Sequence, residues 1–272
     1  MTDVGTAPAP SPPQVSRAAY VEQIMGMPVS LHLRGPQAWG AQAAGVVREV
    51  FALLREVDAL FSTYRADSEV SRVNAGTLAL ADVHPLVREV NDLAVIARAR
   101  TRGLFDVHLP VNGGRTYDPS GLVKGWAVER AATLLAALPE HDFCLNVGGD
   151  VAVGCRRKDA EPWRVAIEDP RAPGVLLGVV ERRDGGVATS GTAARGAHLV
   201  DPRDGSRPTA LLSVTVLGPS IRWADVLATA AFVRGADAAE WLRCQLGYQA
   251  VVVRADGTVV QTPGLALTRL DG

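Results

Sequence analysis

The sequence predicts an α+β fold, and three observations predict it. Apolar residues recur at three- and four-residue steps through the first half, short apolar runs divided by Gly, Asp and Pro begin at Phe143, and helical periodicity returns at Trp223. The predicted strands follow one another as neighbours rather than alternating strictly with helices, which argues against a doubly wound parallel sheet.

Taken in order, Met1 to Arg17 carry Pro8, Pro10, Pro12 and Pro13 and no apolar run, so a disordered Pro-rich tail is expected over 1–18 and a single folded domain over 19–272. Gln23 to Leu33 reads as one strand, with Met25, Met27, Val29, Leu31 and Leu33 on one face and His32 on the other. Val47, Val50, Phe51, Leu54, Val57 and Phe61 form an amphipathic helical stripe over Gln37 to Phe61. A polar segment, Ser62 to Asn74, separates it from a helix running from Pro85 to Arg102 and closed by Gly103. Phe105 and Asp106 then enter a Gly/Pro-rich loop, and Lys124 to Leu138 forms a third helix stopped by Pro139. Strands are expected near Phe143–Val147, Trp163–Glu168, Val175–Val180, His198–Val200 and Ser213–Leu217. Trp223–Arg234 and Ala236–Leu246 read as helices, and Tyr248–Arg254 with Thr258–Gln261 as a hairpin around Asp256-Gly257. No internal repeat is visible.

The 272 residues, 47% hydrophobic, are ample for a buried core. With 28 Lys+Arg against 29 Asp+Glu and no basic block, nothing marks a nucleic-acid or anionic-membrane surface, and a small ligand is the better default. The longest apolar stretches, such as Ala131 to Leu138, reach less than half of the roughly 20 residues a spanning helix requires, so no membrane insertion is expected. Cys144, Cys155 and Cys244 stand at wide, unpatterned spacing, which suggests a reducing compartment. The N-terminus lacks the apolar core of a secretory signal and shows no lipid anchor, so a cytoplasmic location is expected.

Several segments carry possible chemistry. Gly121-Leu122-Val123-Lys124-Gly125 leads into a helix, where free backbone N–H groups, the helix dipole and one of only two lysines could hold an anion. A glycine-bearing turn with a solvated lysine has the same sequence. Asn146-Val147-Gly148-Gly149-Asp150 ends an apolar strand with backbone open to a ligand, or is a plain hairpin turn. Thr189-Ser190-Gly191 with Arg195 offers two hydroxyls and a guanidinium to a phosphate, in a composition common to ordinary turns. Asp225 and Thr229, four apart, share one helix face, and two hard oxygen donors suit Mg²⁺; dipole pairing and back-bonding explain the same spacing. His198, followed by Asp201 and Pro202, is the histidine closest to other candidate groups.

In this order the pieces resemble the FAD:protein FMN transferases, the ApbE family of flavin transferases, from about Met25 to Gly235. Met25-Gly26 looks like the family's opening Met-Gly. Ser62-Thr63-Tyr64-Arg65 with Ser68-Glu69-Val70-Ser71-Arg72-Val73-Asn74 is similar to its Ser-x-Tyr-Arg and Ser-Glu-hydrophobic-Ser-x-hydrophobic-Asn stretch. Phe105-Asp106 follows, and Asp118 to Glu129 resembles the Asp-x-Gly-Gly-Ile-Ala-Lys-Gly-Tyr-Ala-x-Asp segment, with Ser120 for the first Gly and Glu129 for the last Asp. The Asn146–Asp150, Thr189–Gly191 and His198-x-x-Asp201-Pro202 motifs then come in family order, with Asp225 and Thr229 last. The stretch between Asp106 and Asp118 is shorter than in many members, and His108 stands where a Thr is expected.

The resemblance implies a single domain of the ApbE flavin transferase type, with mixed or antiparallel sheets flanked by helices. It implies that Asp225, Thr229 and a backbone carbonyl near Gly121 bind Mg²⁺. It further implies an FAD site drawn from Met25, Tyr64, Ser68, Asn74, Asp118, Lys124, Glu129, Asn146, Gly148, Gly149, Asp150, Thr189, Ser190, Gly191 and Arg195, with Tyr64 a candidate for stacking on a ring. The implied reaction moves FMN from FAD to a Ser or Thr hydroxyl of an acceptor flavoprotein and releases AMP. A threonine hydroxyl is a weak nucleophile at neutral pH, so His198 beside Asp201 is the candidate catalytic base. Hydrolysis of FAD to FMN and AMP, or flavin carriage without turnover, are the competing readings.

Overall fold

In the computed structural model, which describes residues 15–111, 113–192 and 199–269, the chain runs β1 (Ser16–Ile24), β2 (Met27–Gly35), α1 (Ala41–Phe61), α2 (Glu69–Asn74), α3 (Pro85–Arg100), β3 (His108–Val111), β4 (Gly114–Tyr117) and α4 (Ser120–Ala136). It continues as β5 (Asp142–Val147), β6 (Asp150–Gly154), β7 (Trp163–Glu168), β8 (Leu176–Arg182), β9 (Asp184–Gly191), β10 (Leu211–Gly218), α5 (Ile221–Arg234), α6 (Ala238–Arg243), β11 (Gln249–Arg254) and β12 (Val259–Gln261). An eight-stranded sheet has the order β1-β2-β5-β6-β9-β10-β11-β12, every neighbour antiparallel. Two separate ribbons, β3–β4 and β7–β8, complete the strands.

The strand period of two divides the core. Leu31, Leu33, Leu145, Ala152, Ala188 and Val214 face the helices and pack with Leu54, Trp126, Leu227 and Phe232. Val151, Val153, Val187, Leu217 and Val251 face the other way, against Val165, Ile167 and Val180 of the β7–β8 ribbon. Covered on both faces, β6 is buried along its whole length and lacks the alternation of a half-solvated strand. On the helix layer, α1 buries the expected stripe of Val47, Val50, Phe51, Leu54, Val57 and Phe61. Among the described residues no helix is long and apolar enough to cross a membrane.

Five local expectations are corrected. The run Gln23–Leu33 is not one strand: the chain reverses at Met25 and Gly26, both with positive φ (56° and 67°), in a two-residue hairpin that pairs Ile24 with Met27. Strand β1 begins at Ser16, inside the segment expected as a tail. Helix α4 begins at Ser120, whose N–H is taken by the Asp118 carboxylate at 3.0 Å, so Lys124 lies inside its second turn rather than at its start. The Gly/Pro-rich loop after Asp106 contains the β3–β4 ribbon. Leu199 and Val200 belong to no strand, and His198 lies outside the described residues.

Candidate functional site

Helices α4 and α5 cross over the central strands β6 and β9, and the crossing is close because residue 125 is glycine. A Cβ there would stand 3.0 Å from the Arg222 Cα and 3.0 Å from the Asp225 Cβ. The Gly125 N–H donates to Asp225 Oδ2 at 3.2 Å, which sets Asp225 against the turn of α4 that begins at Gly121. Lys124 places its Nζ 2.9 Å from Asp150 Oδ2 and 3.9 Å from Asp225 Oδ1. Asp150 is wholly buried at the head of β6, on the helix face, and its Oδ1 accepts from the Thr189 N–H at 3.4 Å. Ser190 and Thr229 join hydroxyls at 3.0 Å, closing the cluster from β9 and the next turn of α5.

Two buried carboxylates thus share one ammonium. Burial, and after it the charge of Asp150, push the Asp225 carboxyl up to about 8, while Lys124 and the Gly125 N–H oppose the rise. A further cation beside it would favour the ionised carboxylate. The described residues contain no group of three or more His, Cys, Asp or Glu able to hold a metal. Mg²⁺, however, takes few protein carboxylates and completes its shell with water and phosphate oxygens. One under-compensated carboxylate with a hydroxyl one turn away fits that habit.

Further expected residues are set on α2 and in loops and turns. Asn74 bonds the Tyr117 backbone twice, its Nδ2 donating to the carbonyl at 2.8 Å and its Oδ1 accepting from the N–H at 2.8 Å. Ser68 is buried and caps α2, accepting from the Ser71 N–H at 3.1 Å and donating to the Ser62 carbonyl at 2.6 Å. Tyr64 is 98% exposed, a ring open to stacking. At the β5–β6 turn the Gly149 N–H donates to Asn146 Oδ1 at 2.9 Å, and both Gly148 and Gly149 have positive φ. Met25 sits at the tip of the β1–β2 hairpin, and Met27, two residues on, fills the space a Gly148 Cβ would need.

Other expected site residues are turned elsewhere. Thr189 points to the sheet face opposite Ser190, its hydroxyl 2.9 Å from that of Thr215, so only its backbone N–H reaches the cluster. Glu129 engages the Ser220 hydroxyl and the Arg222 guanidinium (3.1 Å), tying α4 to the start of α5. Gly191 ends β9, and Arg195, like His198, lies outside the described residues. Asp201 is buried and doubly bonded to Arg203, at 2.9 Å and 2.6 Å, and that guanidinium holds its carboxyl below the usual carboxylate range. A permanent anion of this kind is a poor proton acceptor.

Arg115, which the sequence reading passed over, links the β3–β4 ribbon to this turn: its guanidinium lies 3.3 Å from Asp106 Oδ2 and 3.3 Å from the Pro202 carbonyl. Asp106 is held in addition by Arg98 at 2.9 Å. The signal for the ribbon was present in Asn112-Gly113, a dipeptide suited to a tight hairpin.

A family model described as the ApbE family matches residues 25–111 and 111–252. The FAD:protein FMN transferase of Vibrio cholerae serotype O1 is 29% identical over 69% of this chain and 72% of its own length. That of Haemophilus influenzae is 27% identical over 70% and 73%. Among solved structures, the ApbE protein of Thermotoga maritima superposes with a TM-score of 0.80, covering 91% of this chain and 97% of its own; at 20% identity this is a likeness of fold. The flavin transferase ApbE of Vibrio cholerae superposes with a TM-score of 0.75 at 26% identity, covering 92% and 98%.

Proposed function

The chain belongs to the ApbE family, and from that premise we propose that it is an Mg²⁺-dependent FAD:protein FMN transferase. It moves FMN from FAD onto a Ser or Thr hydroxyl of an acceptor protein and releases AMP. The observation that carries this reading is the convergence of Lys124, Asp150, Ser190, Asp225 and Thr229 at one crossing of α4 and α5. Asp225 and Thr229, with the Gly121 carbonyl, would hold Mg²⁺, which when bound supplies positive charge to the pyrophosphate and the departing phosphate.

The chain's own groups do the rest. Lys124, 17% exposed at its side chain, presents an ammonium to the pyrophosphate beside the first N–H groups of α4. Asn74 fixes Tyr117, and Asp118 fixes Ser120, so that the start of α4 is held rigid where an anion would meet it. The acceptor oxygen bonds to the FMN-side phosphorus, the bond from that phosphorus to the AMP oxygen breaks, and the acceptor's proton passes to a base, for which His198 is the candidate. Asp201, ion-paired with Arg203 and held below the usual carboxylate range, is not itself that base in this reading. The reading extends to a cytoplasmic location, with which three free cysteines agree.

The test is AMP release from FAD, measured with and without a threonine-bearing acceptor peptide, in Mg²⁺ and after chelation. AMP should appear only with peptide and Mg²⁺, and Asp225→Asn, which keeps an acceptor for the Gly125 N–H, should lower it by about 10²–10³. Equal AMP without peptide would make the enzyme a hydrolase, and equal AMP after chelation would remove the metal from the reading.

A further inference from the structure

Lys124 stands between two buried carboxylates but touches them unequally, 2.9 Å from Asp150 and 3.9 Å from Asp225. The nearer contact is an ion pair of hydrogen-bonding length; the farther one is not. Asp150 itself offers nothing to a ligand in solution: it is 0% exposed, and its other oxygen is occupied by the Thr189 N–H. Its place at the head of β6 is fixed by the sheet, whereas the lysine is long and carries a rotatable ammonium. Without an anion on β6, the Asp225 carboxylate still lies 3.9 Å from that ammonium.

We propose that Asp150 is a positioning residue: it draws the Lys124 ammonium away from Asp225 and so keeps the Asp225 carboxylate open to a divalent cation. This rests on the reading that Asp225 and Thr229 hold such a cation. The charge count follows the geometry. Asp150, Lys124 and Asp225 together carry one negative charge toward the cation; replacing Asp150 by Asn leaves none and frees Lys124 to close on Asp225, and replacing Lys124 as well restores the single negative charge.

The experiment is Mn²⁺ binding to the FAD-free protein, followed by the loss of the free-ion signal in electron paramagnetic resonance. Asp150→Asn, which retains an acceptor for the Thr189 N–H, should weaken Mn²⁺ at least tenfold. Lys124→Met in the same chain should recover most of that loss, and Lys124→Met alone, at a partly exposed position, should bind Mn²⁺ more tightly than wild type. A structural defect at Asp150 would not be rescued by removing a second charge. If Asp150→Asn binds Mn²⁺ like wild type, or the double variant stays as weak as Asp150→Asn, or Lys124→Met alone weakens binding, the proposal fails while the metal reading stands. If wild type takes up no Mn²⁺, the metal reading fails first and the proposal with it.

Discussion

Spacing made Asp225 and Thr229 visible in the sequence, because residues four apart on a helix share a face whatever surrounds them. What surrounds them was not visible: Asp225 is 3% exposed rather than a solvated first-turn acid, and its nearest charges come from α4 and β6, 101 and 75 positions away in the chain as numbered. Thr189 and Ser190 looked interchangeable until the pleat put them on opposite faces. Asp201 was legible as a neighbour of His198, but its strongest partner is Arg203, two residues on. That pairing has a testable pH signature. A depressed folded pKa stabilises above the ordinary carboxylate value of 3.8, and the gain is lost as pH falls through the lower folded value. Arg203→Ala should therefore cost about 1 kcal/mol at pH 7, the guanidinium being largely exposed, and urea unfolding should show wild type and variant converging as pH falls below the lowered Asp201 value. A gap that persists there would contradict the pairing. For the base, His198→Asn should slow peptide flavinylation by about 10²–10⁴ and flatten the acid limb of its pH profile. Superimposable pH profiles would exclude His198.

Helices with one solvated face were readable, as was β10, a strand buried along nearly its whole length, through its apolar run. Helix α1 ends at Phe61 and α3 begins at Pro85 as expected, though α1 starts four residues later and α3 stops two residues earlier than the sequence suggested, and the closing hairpin turns at Asp256-Gly257 as its sequence indicates. Strand β6 was missed because cover on both sides removes the alternation, and β9 because it is rich in small residues, for a packing reason: a Cβ on Gly186 would lie 2.5 Å from the Ile221 Cβ. Gly125 obeys the same constraint between α4 and α5. Gly125→Ala should force the two helices apart, costing about 1–3 kcal/mol by urea denaturation, and should lower AMP release by more than the stability loss explains, since Asp225 and Lys124 shift relative to one another. Unchanged turnover in that variant would mean that the crossing does not set the site.

Across the whole molecule, one antiparallel sheet separates two cores and gathers the site at a single rim. The helix-side core carries α4 and α5, while the β7–β8 ribbon covers the opposite face. This division was not readable from composition, because sheet order joins β2 to β5 and β6 to β9 across long intervening segments. The family resemblance carried the order of motifs correctly, and the fold explains that order: the motifs lie on α2, α4, the β5–β6 turn, β9 and α5, and the last four meet at the crossing. The most direct measurement of the central claim is the mass of an acceptor peptide incubated with the protein, FAD and Mg²⁺, with the modified position located by fragmentation. The account predicts one added FMN in phosphoester linkage on a Ser or Thr hydroxyl, with one AMP released for each peptide modified. An unmodified peptide accompanied by free FMN and AMP would contradict it.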